Sequence, residues 1–324
     1  MARVSVSVGG RVHFGFRNLS LARERLYGGL GVALSEPRIT VEASPASKVR
    51  CEDPEASEYA ERAVSILDVP GVELAVENRL PSHVGLGSGT QRALAVLTAV
   101  ARAHDREPRI REHAPSLGRG GRSGVGCETF VRGGFVADAG HPAERFTTRP
   151  PPVGEWSVPK PIARHALPDS WRFLLVVPDI ESGRSGTDEN RTIGRVIERA
   201  DPSIADDIAR IVSQQLLPAA AEGDWQAFGG AVAAVSRLNG AWYADEQGGI
   251  YRPPLGDLVD SISASPTVAG AGQSSWGPTL YGLTDEDRAA TARIAAREAL
   301  SSVDIDGRVL VVAPRNEGAR VESR

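Results

Sequence analysis

Lysine is almost missing from this 324-residue chain: Lys48 and Lys160 are the only two, so nearly every cation is an arginine. A mechanism built on a catalytic lysine is therefore disfavoured, while bidentate binding of carboxylate or phosphate is well provided for. Cysteine is equally scarce. Cys51 and Cys127 have neither zinc-ligand spacing nor the density of a disulfide framework, so both read as reduced thiols, and redox chemistry has no support. No apolar run approaches the length of a membrane span, and Arg3-Val4-Ser5-Val6-Ser7-Val8 alternates like a strand rather than a secretion signal. A cytoplasmic protein with no membrane partner is expected. A basic excess is also missing, since the formal charge of −4 argues against a nucleic-acid partner. What is present, 41% hydrophobic and 24% charged residues, is ample for one large or two modest domains with a proper core.

The pattern mixes strands and helices. Val4–Val8, Arg11–Phe16 and Ile39–Ala43 read as strands separated by Gly9-Gly10 and a longer glycine-containing segment. Pro54 opens a helix, and Val72–Glu77 alternates as a strand that feeds a glycine-rich loop. After a helix predicted over Gln91–His104, the segment Gly118–Gly140 is dense in glycine, carries Arg119, Arg122 and Arg132, and ends in a strand at Gly134–Asp138. The proline-rich stretch from Arg149 to Pro161 reads as a connector, which divides the chain into residues 1–160 and 161–324. Beyond it, Phe173–Val177 is a buried strand, Ile204–Leu217 and Trp225–Leu238 are helices, and Val309–Val312 is a late strand. Thr284 reads as the cap of another helix, with Asp285, Glu286 and Asp287 in its first turn.

The loop Pro81–Thr90, Pro-Ser-His-Val-Gly-Leu-Gly-Ser-Gly-Thr, is the most telling segment. Its glycines let backbone approach a ligand, Ser88 and Thr90 add hydroxyl donors, and the following helix start adds unpaired N–H groups and a positive dipole end. A plain strand-to-helix turn uses some of the same residues. Three glycines and two hydroxyls within six positions favour a phosphate cradle.

This loop, with the second glycine-rich segment Gly270–Gly277, resembles the phosphate loop of the GHMP small-molecule kinases, Pro-x-x-x-Gly-Leu-Gly/Ser-Ser. Taken with His13-Phe14-Gly15-Phe16, the run Arg119–Gly126, Gly133-Gly134-Phe135 and the run Gln273–Thr279, the chain resembles the β-ribofuranosylaminobenzene 5′-phosphate synthase family and its C-nucleoside synthase relatives. The resemblance covers most of the chain. It implies a two-domain α+β GHMP-kinase-like fold, with a ribosomal-S5-like first half and a ferredoxin-like second half. It also implies a decarboxylative C-ribosyltransferase that joins C1 of 5-phosphoribosyl 1-pyrophosphate to an aromatic carboxylate, releasing carbon dioxide and pyrophosphate. The acceptor is p-aminobenzoate or 4-hydroxybenzoate in methanopterin synthesis, and a pyrazole carboxylate in C-nucleoside synthesis. An ATP-dependent GHMP kinase is the alternative that the loop alone would allow.

Under that reading Gly85, Gly87, Ser88, Gly89 and Thr90 hold the leaving pyrophosphate, with magnesium expected on the pyrophosphate oxygens and no carboxylate cage visible for it. Arg119 and Arg122 bind either the acceptor carboxylate or the sugar 5-phosphate. His83 contacts phosphate or orients the loop. His13 and His141 are candidates for the proton acceptor, and Asp138 could orient a base or bind magnesium. Gln273, Ser274, Ser275 and Trp276 form a polar cluster with one aromatic plate on which a flat acceptor ring could stack. Arg23, Glu24 and Arg25 read equally as a substrate-facing loop or a charged turn. The scarcity of lysine points to a GC-rich genome and tilts the acceptor toward a pyrazole carboxylate. A homodimer stays possible.

Overall fold

The computed structural model describes residues 3–147, 151–183 and 186–323. Its first sheet is built on two long strands, β1 (Val4–Asn18) and β2 (Arg25–Pro45), which pair antiparallel along nearly their whole length. Alternation drives them: Val4, Val6 and Val8 are buried while Ser5 and Ser7 are half-buried. Gly9-Gly10 does not split β1 into the two strands that the sequence suggested. The register shifts between Gly9 and Arg11 and again between His13 and Gly15, so each glycine becomes a bulge inside a continuous strand. A Cβ on Gly9 would lie 1.8 Å from the Leu34 carbonyl oxygen, so only glycine permits this approach. Likewise, the glycine-containing segment at Tyr27–Gly31 is strand, paired to β1.

β3 (Arg50–Cys51), α1 (Pro54–Leu67) and β4 (Val72–Asn78) follow, with Asp53 capping α1 through the Ala56 N–H at 2.9 Å. Next come α2 (Ser88–Ala103), the short α3 (Ile110–His113), α4 (Val125–Arg132), β5 (Phe135–Asp138) and β6 (His141–Pro142). α2 is buried on almost every side, which explains its run of alanine, leucine and valine. With the last strand, β12 (Arg320–Ser323), the sheet order is β12-β1-β2-β4-β3, with β5 and β6 added to β2. Residues beyond 160 also contribute to it: β7 (Pro161–His165) pairs with β5, and the last strand, β12, returns to β1.

The second half runs β8 (Trp171–Pro178), α5 (Gly186–Arg199), α6 (Pro202–Ile211), a π-helical turn at Val212–Leu216, α7 (Leu217–Glu222), α8 (Trp225–Gln247), α9 (Leu255–Ser263), β9 (Gly270–Gln273), β10 (Leu280–Asp285), α10 (Ala289–Ser302), β11 (Gly307–Val312) and β12 (Arg320–Ser323). Its antiparallel sheet has the order β11-β8-β10-β9. Thr284 is not a helix cap. It is fully buried in β10, its hydroxyl donates to the Thr267 carbonyl at 2.7 Å, and α10 starts only at Ala289. Pairing with β8 overrode the local capping pattern, and the acidic run became the turn between strand and helix.

The two halves share a core. Phe14 of β1 packs on Phe135 of β5, and across the divide on Phe173, Phe228 and Tyr281, with ring centroids 5.0–6.5 Å apart. Among the described residues, no helix is long and apolar enough to cross a membrane. Phe14→Ala should open a cavity at this junction and cost about 3–5 kcal/mol, read from urea unfolding of the full chain.

Candidate active site

The phosphate loop is clamped before any ligand arrives. The Gly85 carbonyl accepts from Arg11 Nη1 at 2.8 Å and from the Ser274 hydroxyl at 2.8 Å, while Ser274 Oγ accepts the His13 backbone N–H at 3.0 Å. Flanking backbone bonds run from Arg11 N to Leu86 O (3.0 Å) and from Thr279 N to Val84 O (3.1 Å). Gly85 has φ 92°, and a Cβ there would stand 2.3 Å from the Ser274 carbonyl oxygen, so its lack of a side chain is what admits the second half of the chain.

α2 starts at Ser88, three residues before the predicted Gln91, and the shift matters chemically. Gly87 sits at φ 75° and offers no side-chain cap, while the N–H groups of Thr90 and Gln91 both point to its carbonyl. Helix geometry leaves the Ser88 and Gly89 N–H groups without an intrahelical acceptor, beside the Ser88 hydroxyl and at the positive end of a four-turn dipole.

These groups open onto a cleft of about 980 Å³ between the halves. Arg11, Arg119, Arg122 and Arg145 line it, with His13, His83 and His141. Arg119 lies against the first turn of α2, where a Cβ on Gly89 would come within 3.0 Å of its guanidinium. Arg122 donates to the Asn190 side chain and stands 3.9 Å from Glu189, both on α5. Opposite them Trp276 meets Tyr243 edge to face, with centroids 4.9 Å apart. The connector is part of the wall. Pro151, Val153, Glu155, Trp156 and Ser157 line the cleft, and the Trp156 indole donates to the Arg119 carbonyl at 3.0 Å. Residues 148–150 at its start lie outside the described residues.

Of the sequence candidates, His13, His83, Gly85, Gly87, Ser88, Gly89, Thr90, Arg119, Arg122, His141, Gln273, Ser275 and Trp276 come together at the cleft. Ser274 is fully buried and acts on the loop from behind. Gln273 braces its own turn, donating to the Ser275 carbonyl at 3.0 Å. Asp138 is fully buried and away from the cleft lining. Its carboxylate accepts from Gly124 N (2.7 Å), Ser123 Oγ (2.9 Å) and Gly140 N (2.8 Å), which ties the arginine-glycine loop to β5. Burial pushes this carboxyl up and the donors pull it back down. Arg23 instead pairs with Asp206, and Arg25 donates to the Ala139 and Gly140 carbonyls, so neither reaches the cleft. Cys127 is a buried thiol pushed up to about 12 by desolvation.

Sequence reasoning missed Arg11, Tyr27, Glu189, Asn190, Tyr243 and Trp156. Arg11 alone carried a signal, an arginine directly after a glycine pair inside a strand. Desolvation lowers it to about 10, partly opposed by Glu189, and it remains a cation at neutral pH. His13 is lowered to about 3 by burial and then by Arg11, so the imidazole is neutral near pH 7. His141 Nε2 lies 2.5 Å from the Gly121 carbonyl, which can only accept, so Nε2 carries a proton.

The family model described as GHMP kinases N terminal domain matches residues 55–133, and that described as GHMP kinases C terminal matches residues 216–302. The β-ribofuranosylphenol 5′-phosphate synthase of Methanothermobacter thermautotrophicus is 33% identical, with 95% of each chain covered. The enzyme of the same name from Archaeoglobus fulgidus is 31% identical over 96% of this chain and 97% of its own. Among solved structures, mevalonate pyrophosphate decarboxylase from Streptococcus pyogenes aligns with TM-score 0.68 at 11% identity, covering 97% of both chains. Methanococcus jannaschii mevalonate kinase aligns with TM-score 0.65 at 14% identity, covering 96% of this chain and 98% of its own. These structural likenesses concern the fold.

His13 generates a pH prediction. Its native value near 3 lies below the ordinary 6.5, so on acidification the unfolded chain binds a proton that the native chain refuses. Stability should fall as pH drops from 6.5 toward 3, with no contribution from His13 above that window. His13→Gln should flatten this part of the acid limb in urea unfolding at about pH 7 and about pH 4.5; an unchanged slope would assign it to other groups.

Proposed function

Because this chain belongs to the β-ribofuranosylphenol 5′-phosphate synthase family, on the GHMP kinase fold, we infer that it is a decarboxylative C-ribosyltransferase acting on 5-phosphoribosyl 1-pyrophosphate and an aromatic carboxylate. The observation that carries the assignment of parts is a single cleft with a phosphate-loop helix terminus and four arginines beside an aromatic plate. A kinase, open on the loop alone, gives way to synthase relatives that match along the whole chain.

In this reading the pyrophosphate lies on the Ser88 and Gly89 N–H groups, between Arg11 and Arg119. As the C1–O bond breaks, its electron pair passes to the pyrophosphate, and these preorganised donors stabilise the charge that develops there. The acceptor ring lies against Trp276 and Tyr243, with Arg122 on its carboxylate. The ring carbon bearing that carboxylate bonds to C1; the bond to the carboxylate carbon then breaks, its electrons restore aromaticity, and carbon dioxide leaves. With its imidazole neutral, His141 Nδ1 is the acceptor nitrogen available for the proton that the ring's heteroatom gives up during attack and regains afterwards. His13, held neutral by burial, serves as a hydrogen-bonding group. Tyr243, whose phenol burial pushes up, stays neutral beside the ring.

Magnesium fits this cleft in a limited way. Among the described residues no cluster of three or more His, Cys, Asp or Glu could hold a metal. The Ser88 hydroxyl and Glu189 are the oxygens that could complete a shell made mainly by pyrophosphate. Bound there, the ion would neutralise leaving-group charge. Of the acceptors we favour a pyrazole carboxylate, whose one ring N–H and one acceptor nitrogen suit the polar rim of Asn190 and Tyr243.

Mass spectrometry should find pyrophosphate, carbon dioxide and a C-ribosyl product when the donor is offered with a pyrazole dicarboxylate, p-aminobenzoate or 4-hydroxybenzoate. No product with any of the three would overturn the assignment. Arg122→Lys should lower kcat/KM for the acceptor by about 10–100-fold, because an ammonium cannot reproduce a bidentate contact; normal kinetics would remove Arg122 from the site. Chelation by EDTA should abolish turnover and added magnesium restore it, whereas turnover indifferent to EDTA would remove the metal from the reaction.

A further inference from the structure

Arg119 is held in a place that electrostatics disfavours. Its guanidinium lies against the N-terminal turn of α2, the positive end of the helix, where a cation is repelled until an anion comes between them. Two features keep it there. Gly89 leaves the room, since even a methyl group would approach the guanidinium to 3.0–3.2 Å. Tyr59 of α1 supplies the hold: its hydroxyl accepts from Arg119 Nη2, and its ring lies under the guanidinium carbon at 5.4 Å from the centroid. Its hydrogen-bond partner is a neutral phenol, while Glu189 and Glu58 act on it only as charges, without a direct ion pair among the described residues, so the guanidinium's hydrogen-bonding edge is not spent on a carboxylate. Its Nε is buried and has no hydrogen-bond partner among the described residues, which leaves a donor unspent beside the cleft.

We propose that Tyr59 is a positioning residue for the donor, fixing Arg119 beside the α2 terminus so that the site takes a pyrophosphate in preference to a monophosphate. The inference rests on the ribosyl-transfer reading for the identity of the donor. One phosphoryl group occupies the Ser88 and Gly89 N–H groups, as at any helix terminus of this kind. The second meets the guanidinium that Tyr59 holds. A monophosphate satisfies the first place and has nothing to offer the second, so Tyr59 affects one ligand and spares the other.

The test uses the full chain and two inorganic probes, pyrophosphate and phosphate, each titrated calorimetrically with magnesium present. Tyr59→Phe keeps the ring and removes the hydroxyl. It should weaken pyrophosphate binding about tenfold, the scale of one charge-assisted hydrogen bond, and leave phosphate binding within about twofold. In turnover the same factor should fall on KM for the donor and not on KM for the acceptor. Gly89→Ala should cost less in the Tyr59→Phe background than alone, because both act through Arg119. Unchanged pyrophosphate affinity, equal weakening of both probes, or strictly additive losses would each overturn the proposal. The probes need no turnover. A protein that makes no C-ribosyl product yet shows the Tyr59-dependent preference refutes ribosyl transfer and leaves the role of Tyr59 standing.

Discussion

The site depends on one hydroxyl group. Ser274 Oγ accepts the backbone N–H of His13 and donates to the carbonyl of Gly85, partners 261 and 189 residues away in sequence. A strand of the first half, the phosphate loop and a turn of the second half meet at this atom. The Gly85 carbonyl also takes Arg11, so the same junction that shapes the loop sets an arginine beside it. A buried N–H left without its partner costs about 1–3 kcal/mol, which favours keeping the loop against the sheet. On the proposed reaction, the donors that would face the leaving group are therefore set in place by the fold itself, which is what would make them effective.

From that junction the charge distribution follows. Arg11, Arg119 and Arg122 approach the cleft from β1, from the glycine-rich loop before α4, and from the same loop three residues later. Each is restrained by a neutral group: the Gly85 carbonyl, Tyr59 and Asn190. Neutral hydrogen-bond partners hold a guanidinium without cancelling it; Glu189, 3.9 Å from Arg122 and felt by Arg11 and Arg119, is the carboxylate that offsets part of this positive charge. Asp138 serves the arrangement at a distance, since two of its hydrogen bonds, from Ser123 and Gly124, fix the loop that presents Arg119 and Arg122. The connector after β6, with Trp156 bonded to the Arg119 carbonyl, closes the same loop from outside.

Much of this was legible from local pattern. Pro54 marks α1, alternation marks β1 and β4, and the Pro81–Thr90 loop leads into α2 and contributes to the cleft wall. Most of the motifs that carry the family resemblance have residues in the cleft wall, whereas Gly133-Gly134 packs against residues 315–317 and His165. Where local pattern misled, a long-range partner had intervened. Gly9-Gly10 reads as a break but sits in a strand, because β2 approaches too closely for any side chain. Thr284 reads as a cap but is claimed by β8 across the sheet. α2 begins early because clamping of Gly85 from the far half leaves Gly87 free to end the loop in a left-handed turn.

The sequence by itself determined most of the elements, the glycine-rich loop and the predominance of arginine among the cations, since these follow from periodicity, glycine placement and residue type within short windows. Only the tertiary structure decided which polar groups face substrate and which serve as struts. Ser274 and Ser275 are neighbours of one kind in the chain, yet one is sealed behind the loop and the other lines the cleft. Arg11, Glu189 and Tyr243 join the site from three distant segments with little or no local mark. The reason is physical: a hydrogen bond or an ion pair is made by proximity, and proximity across hundreds of residues is set by packing of the shared aromatic core around Phe14.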